Sequence, residues 1–315
     1  MMVQQDAPRR RRERRDVHGI VLLDKPAGLS SNLALQIVRG IYGARKAGHG
    51  GSLDPLATGL LPLLFGEATK VSGRLLEATK GYRFTARLGI TTSTGDAEGA
   101  VLEERPVERY DRAVFETVFE RFRGEILQVP PMHSALKREG QPLYRLARKG
   151  VEVEREPRPV TIHALTLLGW DDTSFTADVR CSKGTYIRTL AVDIGAALGC
   201  GAHVVSLRRT EVAPYDATRM VTLEALRECA ENGGDAALDA WLLPIDSALV
   251  DWPEVRLGAD AAHYFVCGNA VQTRTAPRQG WVRVYADGGR FVGLGEVLDD
   301  GRVAPRRVLL PGAGA

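Results

Sequence analysis

Cysteine is scarce. Four thiols, Cys181, Cys200, Cys229 and Cys267, are scattered with no C-x-x-C pair among them. That spacing argues against a zinc site and fits a reducing compartment, the cytoplasm. A chain of 315 residues buries a core without disulfide staples. Long apolar runs are missing too. "IVLL" and "LLPLLFG" fall far short of the ~20 residues that span a bilayer, so no membrane partner is expected. The six histidines are dispersed, with no H-E-x-x-H. Neither a phosphate loop ending in Lys-Ser/Thr nor a G-x-S-x-G elbow is present. Zinc hydrolysis, nucleotide binding by a P-loop and serine-triad chemistry therefore lack their residues.

Net charge is nearly absent from the body of the chain. The total is +3, and residues 1–16 hold all of it as six arginines against three acids. What remains is 36 basic and 36 acidic side chains. A nucleic-acid surface in the body must come from arrangement, not excess. The run "RRRRERR" lacks the apolar segment of a signal peptide. Residues 1–16 read as a disordered basic tail, with loose electrostatic contact to RNA as its conceivable role.

Periodicity supplies the elements. "HGIVLLDKPAGLSS" predicts a buried strand and a turn at Pro26-Ala27-Gly28. Ser31 is expected to cap a helix with Leu33, Ile37 and Ile41 at helical spacing, ended by Gly43. In "YRFTARLG", Tyr82, Phe84, Ala86 and Leu88 alternate onto one strand face. "DRAVFETVFERFRG" reads as an amphipathic helix with Val114, Phe115, Val118, Phe119 and Phe122 inward. "SFTADVRCS" is a second alternating strand. A helix from about Tyr186 to Leu198 follows it, then the strand "AHVVSLRRTEV" and a helix capped by Thr222. Residues 129–157 are basic, proline-rich and aperiodic, a mobile excursion with a short helix near Leu143–Arg148. After about Asp251 the texture is all-β, a compact barrel.

"GHGGSLDPLATG" stands out. Asp54-Pro55 has the form of a helix start, an N-cap before proline at N1. Three glycines and His49 precede it, more than a cap needs, and glycines admit a close-packed ligand. Capping and chemistry are compatible duties for Asp54.

The segments "LLDKPAGLSSN", "AGHGGSLDPLATGLLPL", "FGEATK", "KGYRFTARLG", "CSKGTYIRTLAVDIG", "GCGAHVVSLRRT" and "GRVAPRR" occur in this order. Together they resemble the bacterial tRNA pseudouridine synthase B family from about Val17 to Val308. Two positions depart from the family's pattern. Gly50 replaces the threonine of G-H-T-G, and His133 stands where many members carry tyrosine. Restoring threonine at Gly50 is expected to stiffen the loop.

The resemblance implies an α+β fold: a mixed, largely antiparallel sheet with flanking helices, the pseudouridine synthase fold, over 17–250. It further implies an RNA-gripping thumb at about 129–157 and a small PUA-like β-barrel over 251–315. Asp54 matches the essential aspartate, Tyr82 the tyrosine that stacks on the target base, and Arg188 the arginine that holds the aspartate. Lys25 and Pro26 match the D-K-P motif near the active centre. His49 matches a histidine that fills space left by extruded bases. Tyr186 and Leu207 match pocket residues. Lys137, Arg138, Arg145, Arg148 and Lys149 on the thumb, and Arg302, Arg306 and Arg307 on the barrel, are candidates for RNA phosphates. A solvated-surface role is equally open for the last three.

The implied activity is isomerisation of uridine 55 in the T loop of tRNA, by base extrusion and aspartate-dependent cleavage and re-formation of the glycosidic bond. Substrate and product are isomers, so no cofactor and no metal are expected. A monomer needing no protein partner is expected as well. Two other readings stand beside it: a tRNA-folding chaperone, which needs the basic and aromatic groups but no carboxylate at Asp54, and a nucleoside hydrolase with an aspartate nucleophile.

Overall fold

The computed structural model describes residues 14–310, 312 and 313, apart from 135, 139, 148 and 149. Of the expected tail, residues 1–13 lie outside the described residues. Arg15 pairs with Asp235 at 3.1 Å and Asp239 at 2.5 Å.

The first strand, β1 (Gly19–Lys25), is followed by α1 (Ser31–Tyr42), then β2 (Ala47–His49) and β3 (Thr58–Phe65). A short helix α2 (Ser72–Glu77) leads to β4 (Lys80–Leu88) and a hairpin of β5 (Ile90–Thr92) and β6 (Val101–Glu104). Next come α3 (Arg112–Glu120) and β7 (Gly124–Gln128). The basic excursion holds β8 (Lys137–Arg138), β9 (Gln141–Pro142) and α4 (Leu143–Ala147). The long strands β10 (Arg158–Trp170) and β11 (Ser174–Cys181) precede α5 (Ile187–Leu198) and β12 (Ala202–Val212). Then follow β13 (Tyr215–Asp216), α6 (Leu223–Asn232) and α7 (Gly234–Asp239).

The main sheet has the order β1-β3-β12-β4-β11-β10-β7, with β2 on β3 and β13 on β12. β3 and β12 run parallel; the other ladders of this sheet are antiparallel. The apolar runs have a physical reason. Val21 and Leu23 of β1, with Leu61, Leu63 and Phe65 of β3, enter the main core. Ile20, Leu22, Leu60 and Leu64 enter a second core on the other face. Strands buried on both faces do not alternate. In the main core Phe84, Phe115, Phe119 and Phe175 are wholly buried and pack ring against ring. Each such ring contributes roughly 1.5–3 kcal/mol by burial.

Three local expectations need correction. The cap of α1 is Ser30, whose hydroxyl accepts from Leu33 N at 3.2 Å. Ser31 turns inward instead, donating to Leu53 O at 3.0 Å and accepting from Leu53 N at 2.7 Å. The buried face of α1 is Ala34, Leu35, Val38 and Tyr42, while Leu33 is exposed. On α3, Val114 is likewise exposed.

The C-terminal region is a four-stranded sheet ordered β14 (Glu254–Leu257), β15 (Gly280–Ala286), β16 (Phe291–Val297) and β17 (Val303–Val308). It is not all-β, because α8 (Ala259–Val266) packs Phe265 into its core. Among the described residues, β14 and β17 do not pair to close a barrel. Tyr285, Phe291, Leu294 and Leu309 join the second core of the main sheet. Glu67 adds a polar latch by accepting from Leu310 N at 2.9 Å. Lys70 donates to Val308 O at 2.6 Å and pairs with Glu67. Among the described residues no helix is long and apolar enough to cross a membrane.

Candidate active site

Asp54 lies in the loop between β2 and β3, and no helix follows it. Its carbonyl accepts from Ala57 N at 3.1 Å in a tight turn, after which β3 begins. The capping expectation is therefore overturned: the segment after Pro55 pairs with β1 and β12 and is held extended. The carboxylate is free of capping and is 38% exposed.

Arg188, in the first turn of α5, holds that carboxylate. Nε donates to Asp54 Oδ2 at 2.9 Å, and Nη2 reaches Oδ1 at 3.3 Å. Nη1 donates to Thr94 O and Nη2 to His133 O, each at 2.7 Å. The side chain is only 3% exposed, so its direction is set by these partners. Two-point pairing of guanidinium with carboxylate fixes orientation as well as distance. His133, noted for its side-chain departure, contributes here through its backbone.

Sequence reasoning missed Asp96. It is 5% exposed and lies 3.5 Å from Arg188 Nε. Its carboxylate also accepts from Thr94 Oγ1 at 2.5 Å and Glu98 N at 3.0 Å. The sequence "TTSTGDAEG" reads as an ordinary polar turn, with no signal of an ion pair 92 residues on. Gln128 was missed too. Buried at the base of the excursion, it donates from Nε2 to Tyr186 O at 3.0 Å and accepts at Oε1 from Tyr186 N at 2.7 Å. This clamp fixes the residue just before α5, and so the entry of Arg188.

Three further expected residues fall within reach of the Asp54 charge: Lys25, Tyr82 and Tyr186. Lys25 is fully buried at the end of β1. Its ammonium donates to Pro26 O at 2.8 Å, Leu29 O at 2.7 Å and Pro55 O at 3.3 Å, tying the Pro26 turn to the residue beside Asp54. Burial lowers its pKa to about 8, against the opposing pull of Asp54. Tyr82 is half-buried on β4, opposite Val179 of β11 and Arg209 of β12. Burial pushes its phenol up, with Arg209 opposing. Tyr186 is half-buried, and burial raises its phenol as well.

Leu207 is buried on β12 opposite Phe84, two residues before Arg209 on the same face. His49 ends β2 opposite Leu63. Its Nδ1 is buried with no hydrogen-bond partner among the described residues, and burial, reinforced by the Arg209 charge, lowers its pKa. Gly50 is buried against α2. A Cβ there would lie 2.9 Å from Leu75 Cβ and 3.0 Å from Leu75 Cδ1. The expectation that threonine would simply stiffen this loop is therefore wrong here: the space is already taken by Leu75.

Arg145 is exposed on α4, and Lys137 and Arg138 form β8. Arg148 and Lys149 lie outside the described residues. In the C-terminal sheet Arg302 pairs with Asp300 at 2.7 Å and Arg306 with Glu296 at 2.6 Å, while Arg307 Nη1 donates to Arg306 O at 2.9 Å. A hollow of about 390 Å³ at the base of the excursion is lined by Glu154 and Glu156 as well as Arg155 and Arg158, over an apolar floor that includes Leu136 and Leu143, and Asp54 does not line it. Among the described residues no three His, Cys, Asp or Glu side chains converge as a metal site.

The arrangement presents one oriented, accessible carboxylate, backed by a buried arginine, with its charge felt at the phenols of Tyr82 and Tyr186. It is suited to a carboxylate acting as nucleophile or base on a large substrate that approaches from solvent.

Comparison with known proteins agrees with this geometry. Residues 39–187 match the model of the TruB family pseudouridylate synthase N-terminal domain. Residues 188–250 match the tRNA pseudouridylate synthase B C-terminal domain, and 253–309 the pseudouridine synthase II TruB C-terminal model. The chain is 57% identical over 303 residues to tRNA pseudouridine synthase B of Ectopseudomonas mendocina, covering 96% of this chain and 99% of that one. It is 56% identical to the protein of the same name from Pseudomonas aeruginosa strain UCBPP-PA14, over 95% of this chain and 98% of that one. Among solved structures, a chain of a Cbf5-Nop10-Gar1 complex superposes with a TM-score of 0.74 at 26% identity, over 94% of this chain and 86% of that one. Motifs, fold and full-length similarity converge on one conclusion: the chain belongs to the TruB family of pseudouridylate synthases.

Proposed function

We propose that the chain isomerises uridine to pseudouridine at position 55 in the T loop of tRNA, acting as a monomer in the cytoplasm. The observation that carries this reading is the Arg188–Asp54 pair. Its carboxylate is accessible, its direction is fixed, and Tyr82 and Tyr186 lie within its electrostatic reach. The similarity to relatives named tRNA pseudouridine synthase B supports the substrate class.

The reaction breaks the N1–C1′ bond and forms C5–C1′. The C5 proton leaves and N1 gains one, so atoms balance without a co-reactant. Asp54 supplies the group that engages the nucleotide, by attack at C1′, attack at C6, or proton abstraction at C2′. Tyr82 stacks on the extruded base, and Leu207 walls the pocket. Tyr186 lines it, and Lys25 with Pro26 supports the loop of Asp54. His49 fills space vacated by the bases. Extrusion costs a few kcal/mol, offset by contacts along the T stem-loop. The basic excursion, with Lys137, Arg138, Arg145, Arg148 and Lys149, supplies phosphate contacts. Arg302, Arg306 and Arg307 are weaker candidates, since the first two already hold carboxylates.

The test is direct. An unmodified T stem-loop RNA is incubated with the protein and its nucleosides are mapped. Pseudouridine at the position equivalent to 55 is expected. Free uracil would mean a hydrolase, and an unchanged RNA would favour a chaperone.

A further inference from the structure

The largest side chain that the fold buries completely is a cation. Arg209 is 1% exposed, and among the described residues no carboxylate pairs with it. Its neighbour Arg208 on the opposite strand face does pair, with Asp24 at 2.8 Å. A buried guanidinium without a counter-ion is costly unless its donors are satisfied. Those of Arg209 go to three backbone oxygens. Nε donates to Leu60 O at 2.7 Å, Nη1 to Ser52 O at 3.2 Å, and Nη2 to Gly51 O at 3.0 Å.

These acceptors bracket Asp54. Gly51 and Ser52 precede it, and Leu60 follows on β3. One planar group thus ties both ends of the loop to β12. The contact is tight: Gly59 has φ +96°, and a Cβ there would lie 2.3 Å from Arg209 O. Across the sheet Arg209 is in register with Tyr82. Its charge is felt by the Tyr82 phenol, by His49 and by Lys25. One buried cation therefore links the loop, the stacking tyrosine and the floor of the site.

We propose that Arg209 is the positioning residue of the Asp54 loop, setting where the loop stands relative to Tyr82 through the carbonyls of Gly51, Ser52 and Leu60. Arg188 then orients the carboxylate on that loop. The proposal rests on the isomerase reading for its effect on rate, but not for its effect on the loop. A planar fork serves three fixed acceptors; a lysine ammonium on a shorter reach does not. Misplacing a reacting group by 1 Å costs about 100-fold in rate.

The experiment compares the full-length protein with Arg209→Lys, Arg209→Met and Leu167→Ala. Leu167 is buried on β10, opposite Ala177, and serves as the control for lost stability. Two readouts are taken: single-turnover conversion of a T stem-loop at saturating RNA, and hydrogen exchange at the amides of Gly50, Leu53 and Ala57. In Arg209→Met the three amides are expected to exchange at least about 10-fold faster. Turnover is expected to fall about 100-fold while RNA affinity stays within about threefold. Arg209→Lys should recover part of both effects, and it carries the test if the methionine variant does not fold. Leu167→Ala should melt earlier with turnover and loop exchange unchanged. Wild-type loop exchange in both Arg209 variants would overturn the proposal, as would equal losses of turnover and protection in Leu167→Ala. Failure of the wild type to convert the RNA would sink the isomerase reading, while the exchange data would still decide the role of Arg209.

Discussion

Asp96 is the buried counterpart of Asp54: its Oδ2 stands 3.5 Å from the same Arg188 Nε that donates to Asp54 Oδ2 at 2.9 Å. Arg188 is thus held between an exposed carboxylate and a buried one. The buried member anchors the guanidinium from behind. Asp96→Asn is expected to lower single-turnover conversion by about 10- to 100-fold, with RNA affinity little changed. Filter binding and product quantification on the same RNA check this. An unaffected rate would show that Thr94 O and His133 O suffice to orient Arg188.

Gly50→Thr should lower stability by about 1–3 kcal/mol, because the added Cβ meets Leu75 Cβ at 2.9 Å and Pro62 Cβ at 3.4 Å. Urea unfolding reads the loss as an earlier midpoint with an unchanged slope. A midpoint equal to or above that of the wild type would mean that α2 yields freely.

Much of the candidate site is legible in the sequence. Asp54, Tyr82 and Arg188 of the candidate site stand out in short motifs whose residue types and order are specific. The alternation in 82–88 and 175–181 placed two strands correctly, since each buries one face. The strand Thr58–Phe65 was hidden because it buries both faces and so lacks a period. The absence of a helix after Asp54 was hidden for a related reason. Asp-Pro followed by small and apolar residues fits a capped helix locally, and only pairing with β1 and β12 overrides it. Asp96, Gln128 and Arg209 act through partners far along the chain. Their residue types are common on surfaces, and nothing local marks them as buried.

Lys25 gives a pH signature. Its pKa lies at about 8 in the folded chain against an ordinary 10.5. Between those values the unfolded chain binds more protons, so stability rises with pH across that window and is flat below it. In Lys25→Met this contribution disappears. Lys80, also lowered to about 8 by burial, keeps its own share in both proteins. The stability of the wild type relative to Lys25→Met should therefore improve by up to about 3 kcal/mol from pH 8 to 10.5. Chemical denaturation at several pH values checks it. A pH-independent difference would place the Lys25 ammonium at its ordinary value.

Asp54→Asn tests the assignment of the chemistry most directly. The substitution preserves size and shape but removes the charged carboxylate that Arg188 holds. Conversion of uridine to pseudouridine in an unmodified T stem-loop is expected to fall by at least about 1,000-fold, with RNA affinity within about threefold of wild type. Conversion at the wild-type rate would contradict the role given to Asp54 and place the chemistry on another group.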